Sequence, residues 1–160
     1  MIGNDQTMLK PVKSVETPCI GICSTVYGDD VCRGCKRTYT EVIGWNAWEP
    51  SRQQDVLDRL DKQLIQLAPL YIQITDETLL FNRLVEKSIR FLKAQHPYSW
   101  AYTLLRVGAD KINDLSAYGL MVLPPFDSLT IQELYNHMDR ALYQDAVRAY
   151  YNGDSNQDRD

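Results

Sequence analysis

Cys19-Ile20-Gly21-Ile22-Cys23 and Cys32-Arg33-Gly34-Cys35, eight residues apart, hold all four cysteines of the 160-residue chain. The spacing is C-x3-C followed by C-x2-C, the pattern of a chain that wraps one tetrahedral ion with two tight turns. Each pair lets two thiolates reach a metal from one turn, and the spacer is long enough for the chain to double back. Gly21 and Gly34 sit inside the pairs, where a sharp bend is needed and a side chain would crowd the ion. Thr17-Pro18 precede the first pair, and Tyr27-Gly28-Asp29-Asp30 supply a turn between the two. Metal binding by Cys19, Cys23, Cys32 and Cys35 is the function this stretch announces.

Working outward, Thr38 followed three residues later by Glu41 has the form of a capping box, so a short helix starts just past Cys35. A helix N-terminus beside that thiol would favour its thiolate. Gly44 weakens the helix, and Pro50-Ser51 opens a second one over about 50–66. There Val56, Leu57, Leu60, Leu64 and Leu67 recur at helical spacing. Trp45 and Trp48 are placed to pack between that helix and the cysteine loop, giving a small module the apolar contact it lacks.

Pro18-Cys19-Ile20-Gly21-Ile22-Cys23, an acidic-turn spacer, Cys32-Arg33-Gly34-Cys35 with Arg37-Thr38, Glu41, Trp45 and a polar helix ending in leucines resemble one bacterial family. It is the YdhL-like family of unknown function (DUF1289), labelled "predicted Fe–S protein". The resemblance covers about residues 18–62 and implies the same four cysteine ligands. It implies no reaction, and it covers nothing in residues 68–160.

Ala68-Pro69 separates a second part. Leu70–Ile74 reads as an extended connector on the surface of a helix bundle. A helix follows over about 76–95, with Arg83, Lys87 and Arg90 on one solvated stripe. His96-Pro97 restarts a helix through Tyr98–Val107, closed by Gly108. Lys111–Leu123 reads as a further helical piece stopped by Pro124-Pro125. Asp127 or Ser128 caps a last helix over about 129–151, with Leu134, Tyr135, Met138 and Leu142 inside. The expected fold class is mainly α: a small four-cysteine metal-binding loop and two short helices (17–67), then an α-helical, bundle-like part (70–151). Residues 1–16 are expected as a flexible arm and 152–160 as a disordered tail.

Apolar residues make up 44% of the chain and charged residues 24%, ordinary for a globular protein with a core. The net charge of −4 argues against coating nucleic acid or an anionic membrane. No apolar run forms a signal peptide or a membrane span, so the expected compartment is the cytoplasm. There thiols stay reduced, and metal is favoured over disulfides. No phosphate-binding glycine loop, HExxH or GxSxG motif is present, so no catalytic residue is assigned. His96 and His137 pair with no cysteine at ligand spacing.

Zinc is the expected ion, since closed four-thiolate sites are mostly structural. The alternatives are an Fe–S cluster or mononuclear iron for electron transfer or redox sensing. The cysteine spacing matches neither common ferredoxin run, and iron rests on the family label. Arg33, Lys36 and Arg37 are placed to offset the charge of a four-thiolate site. The expected partner is a protein docking on the zinc-stabilised module, and the amphipathic helices leave room for a homo-oligomer.

Overall fold

In a computed structural model, residues 15–153 are described. The expected arm and tail lie almost wholly outside them. Five α-helices carry the described chain: α1 (Tyr39–Gly44), α2 (Pro50–Leu67), α3 (Glu77–Glu86), α4 (Pro97–Gly108) and α5 (Ile131–Tyr151). Two three-residue strands, β1 (Ile72–Ile74) and β2 (Leu120–Val122), pair antiparallel with Ile72 opposite Val122. The chain is mainly α, as its sequence implies.

The helix starts follow from local chemistry. Thr38 and Glu41 form the capping box of α1, and Pro50 sits in the first turn of α2, where its missing N–H costs nothing. Asp76 accepts from the Leu79 N–H to cap α3, and His96 accepts from the Tyr98 N–H to cap α4. The cap of α5 is Thr130, with Glu133 completing a second capping box. The expected caps, Asp127 and Ser128, instead fall in a 3-10 turn spanning Phe126–Ser128.

Three expectations are corrected. The helix expected over 76–95 stops at Glu86, because Ser88 takes a left-handed conformation (φ 55°). The Ile89 N–H then bonds Leu84 O at 3.0 Å and the Ser88 N–H bonds Val85 O at 3.0 Å, a Schellman ending. Phe91 is thereby returned to the core, edge-on to Phe81 and Trp100, while the Trp100 indole N–H bonds Leu92 O at 3.1 Å. The Arg83–Lys87–Arg90 stripe is broken in the process. Second, Lys111–Leu123 is not a helix. Asp114 caps a single 3-10 turn, Leu115–Tyr118, and Gly119 (φ 73°) leads into β2. Third, Leu70–Ile74 is no surface connector, since β1 within it is hydrogen-bonded to β2 and Ile72 is fully buried.

Leu64, Leu67 and Ala68 from the end of α2 pack into one core with Leu80, Leu84, Leu104, Leu105, Leu134 and Met138. A smaller cluster of Trp45, Val56 and Leu57, with Trp48 and Leu60 against it, joins the turn that follows α1 to α2. Helix α2 therefore connects the cysteine segment to the helices that follow. Among the described residues, no helix is long and apolar enough to cross a membrane.

Because Ser88 holds a conformation that favours glycine, Ser88→Gly is expected to stabilise the protein by about 0.5–1 kcal/mol, while Ser88→Val should destabilise it by more than that. Urea unfolding midpoints of the two variants check the sign.

Candidate metal centre

The second cysteine pair sits on a closed turn. Val31 and Thr38 form an isolated antiparallel bridge. Inside it the Cys32 N–H bonds Arg37 O at 2.8 Å, and the Lys36 N–H bonds Cys32 O at 2.9 Å. Lys36 closes the turn with φ 64°, a conformation costing a side-chain-bearing residue about 1–2 kcal/mol. Its side chain offsets that cost. The Lys36 ammonium is buried and donates to Arg33 O (2.7 Å), Gly34 O (3.1 Å) and the Tyr102 hydroxyl (3.1 Å), and it pairs with the Asp139 carboxylate. Tyr102 also donates to Asp139. Burial, then the nearby Tyr135 and Asp139, hold the Tyr102 phenol well above its ordinary pKa, so it remains a donor.

The first pair lies in an irregular segment tied by local bonds. Thr17 Oγ1 accepts from the Cys19 N–H at 3.2 Å, and Cys19 Sγ accepts from the Gly21 N–H at 3.4 Å. Cys23 Sγ lies 3.1 Å from the Thr25 hydroxyl, at the start of a 3-10 turn (Ser24–Tyr27) that Gly28 ends.

The two pairs are packed face to face through Gly34. A Cβ at that position would lie 2.6 Å from Ile22 O and 3.0 Å from the Ile20 side chain. Cys32 Sγ donates to Ile22 O at 3.3 Å, and the Arg33 N–H bonds the Ser24 hydroxyl at 2.8 Å. Burial raises the Cys32 pKa, but the backbone N–H groups of Cys35, Ser24 and Gly34 and the Cys35 side chain outweigh it, and the net shift is downward. Cys35 moves the other way: burial raises its pKa more than the Arg37 guanidinium lowers it. The thiolate-favouring environment expected at Cys35 from a nearby helix is thus found at Cys32, made by loop N–H groups. Helix α1 begins only at Tyr39.

Cys32 and Cys35 stand together, and the segment carrying Cys19 and Cys23 is pressed against their turn. As arranged, no group of three or more His, Cys, Asp or Glu side chains among the described residues stands together as a ready metal cage. The donor chemistry nevertheless fits a thiophilic ion: four thiols on two touching segments, one already surrounded by N–H donors.

The three cations flanking the second pair have separate positions. Arg33 is largely exposed, pairs with Asp29 at 3.2 Å and lies over the Tyr143 ring. Arg37 is buried, donates from Nε to Cys35 Sγ at 3.2 Å and stacks over Trp45 at 4.9 Å. Lys36 faces inward to α4 and α5. Sequence reading missed Tyr102 and Asp139 as partners of the cysteine turn, because they lie 66 and 103 positions away from Lys36. The one available signal was Asp139 following Tyr135 by four residues on the inner stripe of α5. His96 is a helix cap, and His137 lies 3.3 Å from the Tyr71 hydroxyl, both far in role from the cysteines.

Gly34→Ala is expected to force the two cysteine segments apart, lowering the melting temperature by several degrees. Asp139→Asn should destabilise the protein by about 3 kcal/mol, because it leaves the Lys36 charge buried without its counter-ion. Urea unfolding of that variant, read by circular dichroism, checks the figure, and an unchanged midpoint would contradict the buried pairing.

No curated protein and no solved structure matches the chain. Residues 17–64 match the family model described as "Protein of unknown function (DUF1289)", so the segment from the cysteine loop through most of α2 carries that family's signature, and residues 65–160 lie outside the match.

Proposed function

We propose that Cys19, Cys23, Cys32 and Cys35 bind one zinc ion in a closed, non-catalytic site that stabilises a protein-interaction module. The observation that carries this reading is the Gly34 contact. It seats one cysteine pair on the other closely enough that even a methyl group would collide with Ile22 O. Two short segments with little regular structure gain from a shared ion what they lack in core. Four thiolates and one divalent ion leave a net charge of −2, which the Arg37 guanidinium on Cys35 partly offsets. The interaction role is supported by Ile22, Val26 and Tyr27, exposed at 63, 73 and 91% beside the first pair. A protein partner is the occupant that such apolar side chains suit.

A second reading, iron in the same thiolates for electron transfer or redox sensing, is favoured by the N–H groups around Cys32 Sγ. Hydrogen bonds to sulfur are one of the levers by which a protein sets an iron–sulfur potential.

Metal content and an ultraviolet–visible spectrum, on protein purified without oxygen, separate the two. About one zinc per chain without visible absorbance is the expected result. Iron with visible charge-transfer bands would replace zinc by the second reading, and metal-free protein with four freely titrating thiols would sink both. Cys32→Ser is expected to lose the metal and to expose residues 17–50 to proteolysis while α3–α5 stay folded.

A further inference from the structure

A cleft of about 480 Å³ opens between the cysteine loop, α2, the segment after α3, and α4. That volume is in the range of small-ligand sites. Its polar wall is one stripe of α4, Ser99, Tyr102, Thr103 and Arg106, at the i, i+3, i+4, i+7 spacing of a single helix face. Arg90 lies across from it on the irregular segment that the Schellman ending of α3 releases. Leu60 and Leu64 from α2, with Phe91 and Leu92, make the apolar side.

The charge around this cleft is unbalanced. Its lining includes three cations, Lys36, Arg90 and Arg106, and no aspartate or glutamate. Lys36 is neutralised by Asp139. The other two are not: among the described residues neither Arg90 nor Arg106 forms an ion pair, and the contact that Arg90 makes is a 3.5 Å approach to Thr17 O. Arg106 is half-buried, and its charge is near enough to the Tyr135 hydroxyl to favour the phenolate there, so its guanidinium is only partly hydrated. A half-buried cation without a carboxylate, facing a cavity with an apolar opposite wall, is an arrangement that an organic anion completes. We propose that this cleft binds a small organic anion, its carboxylate or phosphate group held between Arg90 and Arg106 and its carbon body against Leu60, Leu64 and Phe91. The Thr103 hydroxyl, one turn before Arg106, is placed to add a hydrogen bond to the same group. Cys19 and Cys35 line the cleft as well, so a bound anion would sit next to the cysteine loop. The assignment rests on the charge and shape of the cleft and holds for zinc or iron alike.

The test is isothermal titration of the full chain, with the metal it carries on purification, against three probes of one shape: benzoate, phenyl phosphate and benzyl alcohol. At least one anion is expected to bind saturably with Kd at or below about 1 mM. Tighter benzoate points to a carboxylate ligand, tighter phenyl phosphate to a phosphate. Benzyl alcohol should bind at least tenfold more weakly than the better anion. Arg106→Gln and Arg90→Gln are each expected to weaken anion binding by about tenfold, Arg106→Lys by less, and Arg140→Gln, outside the cleft, not at all. Circular dichroism melts of each variant establish that the fold is retained. Equal binding of benzyl alcohol and the anions would overturn the proposal, as would anion binding indifferent to Arg106→Gln. So would no saturable binding of any probe, which would leave the arginines as counter-charges to the thiolates.

Discussion

The Lys36 ammonium is the point on which the two ends of the chain meet. A buried cation has to be surrounded by acceptors, because leaving water without compensation costs several kcal/mol. Here two acceptors, Arg33 O and Gly34 O, belong to the cysteine turn, and two, Tyr102 and Asp139, belong to α4 and α5. Satisfying one charge therefore fixes the shape of the turn and its position on the helices at once. The strained backbone of Lys36 is consistent with that demand, since a residue at positive φ persists where its surroundings over-determine it.

From this constraint the rest follows in order. With the Cys32–Cys35 turn anchored, Gly34 presents a bare backbone face, and the Cys19–Cys23 segment closes on it. Arg37 is drawn inward between Cys35 and Trp45, which links the thiols to the small cluster formed by Val56 and Leu57. Helix α2 then passes from that cluster into the main core through Leu64 and Leu67. A cysteine loop with hardly any core of its own thus borrows one through a cation, an aromatic ring and a helix.

What the sequence made legible was whatever depends on near neighbours. The capping box at Thr38 and Glu41, the proline start of α2 and its inner leucines are all set within a few positions, and each stands where the local pattern puts it. The errors share a physical cause. Ser88 ends α3 in a conformation usually given to glycine, and no local signal marks a serine for that role. Ile72 and Val122 look like connector or helical residues until they pair across about fifty positions of chain. Tyr102 and Asp139 carry no sign that a lysine near the other end will need them. Pairings of that separation are decided by tertiary packing, which outweighs propensity.

The contact between Arg37 and Trp45 has a further consequence. The indole of Trp45 is 5% exposed and lies one guanidinium away from the Cys35 sulfur, whereas Trp100 is enclosed by Phe81 and Phe91 in a different part of the core. The chain's three tryptophans thereby fall into two groups, Trp45 with Trp48 beside the cysteine loop and Trp100 in the main core. The emission of the Trp45–Trp48 group relative to that of Trp100 separates events at the cysteine loop from loosening of the helices, without any label attached.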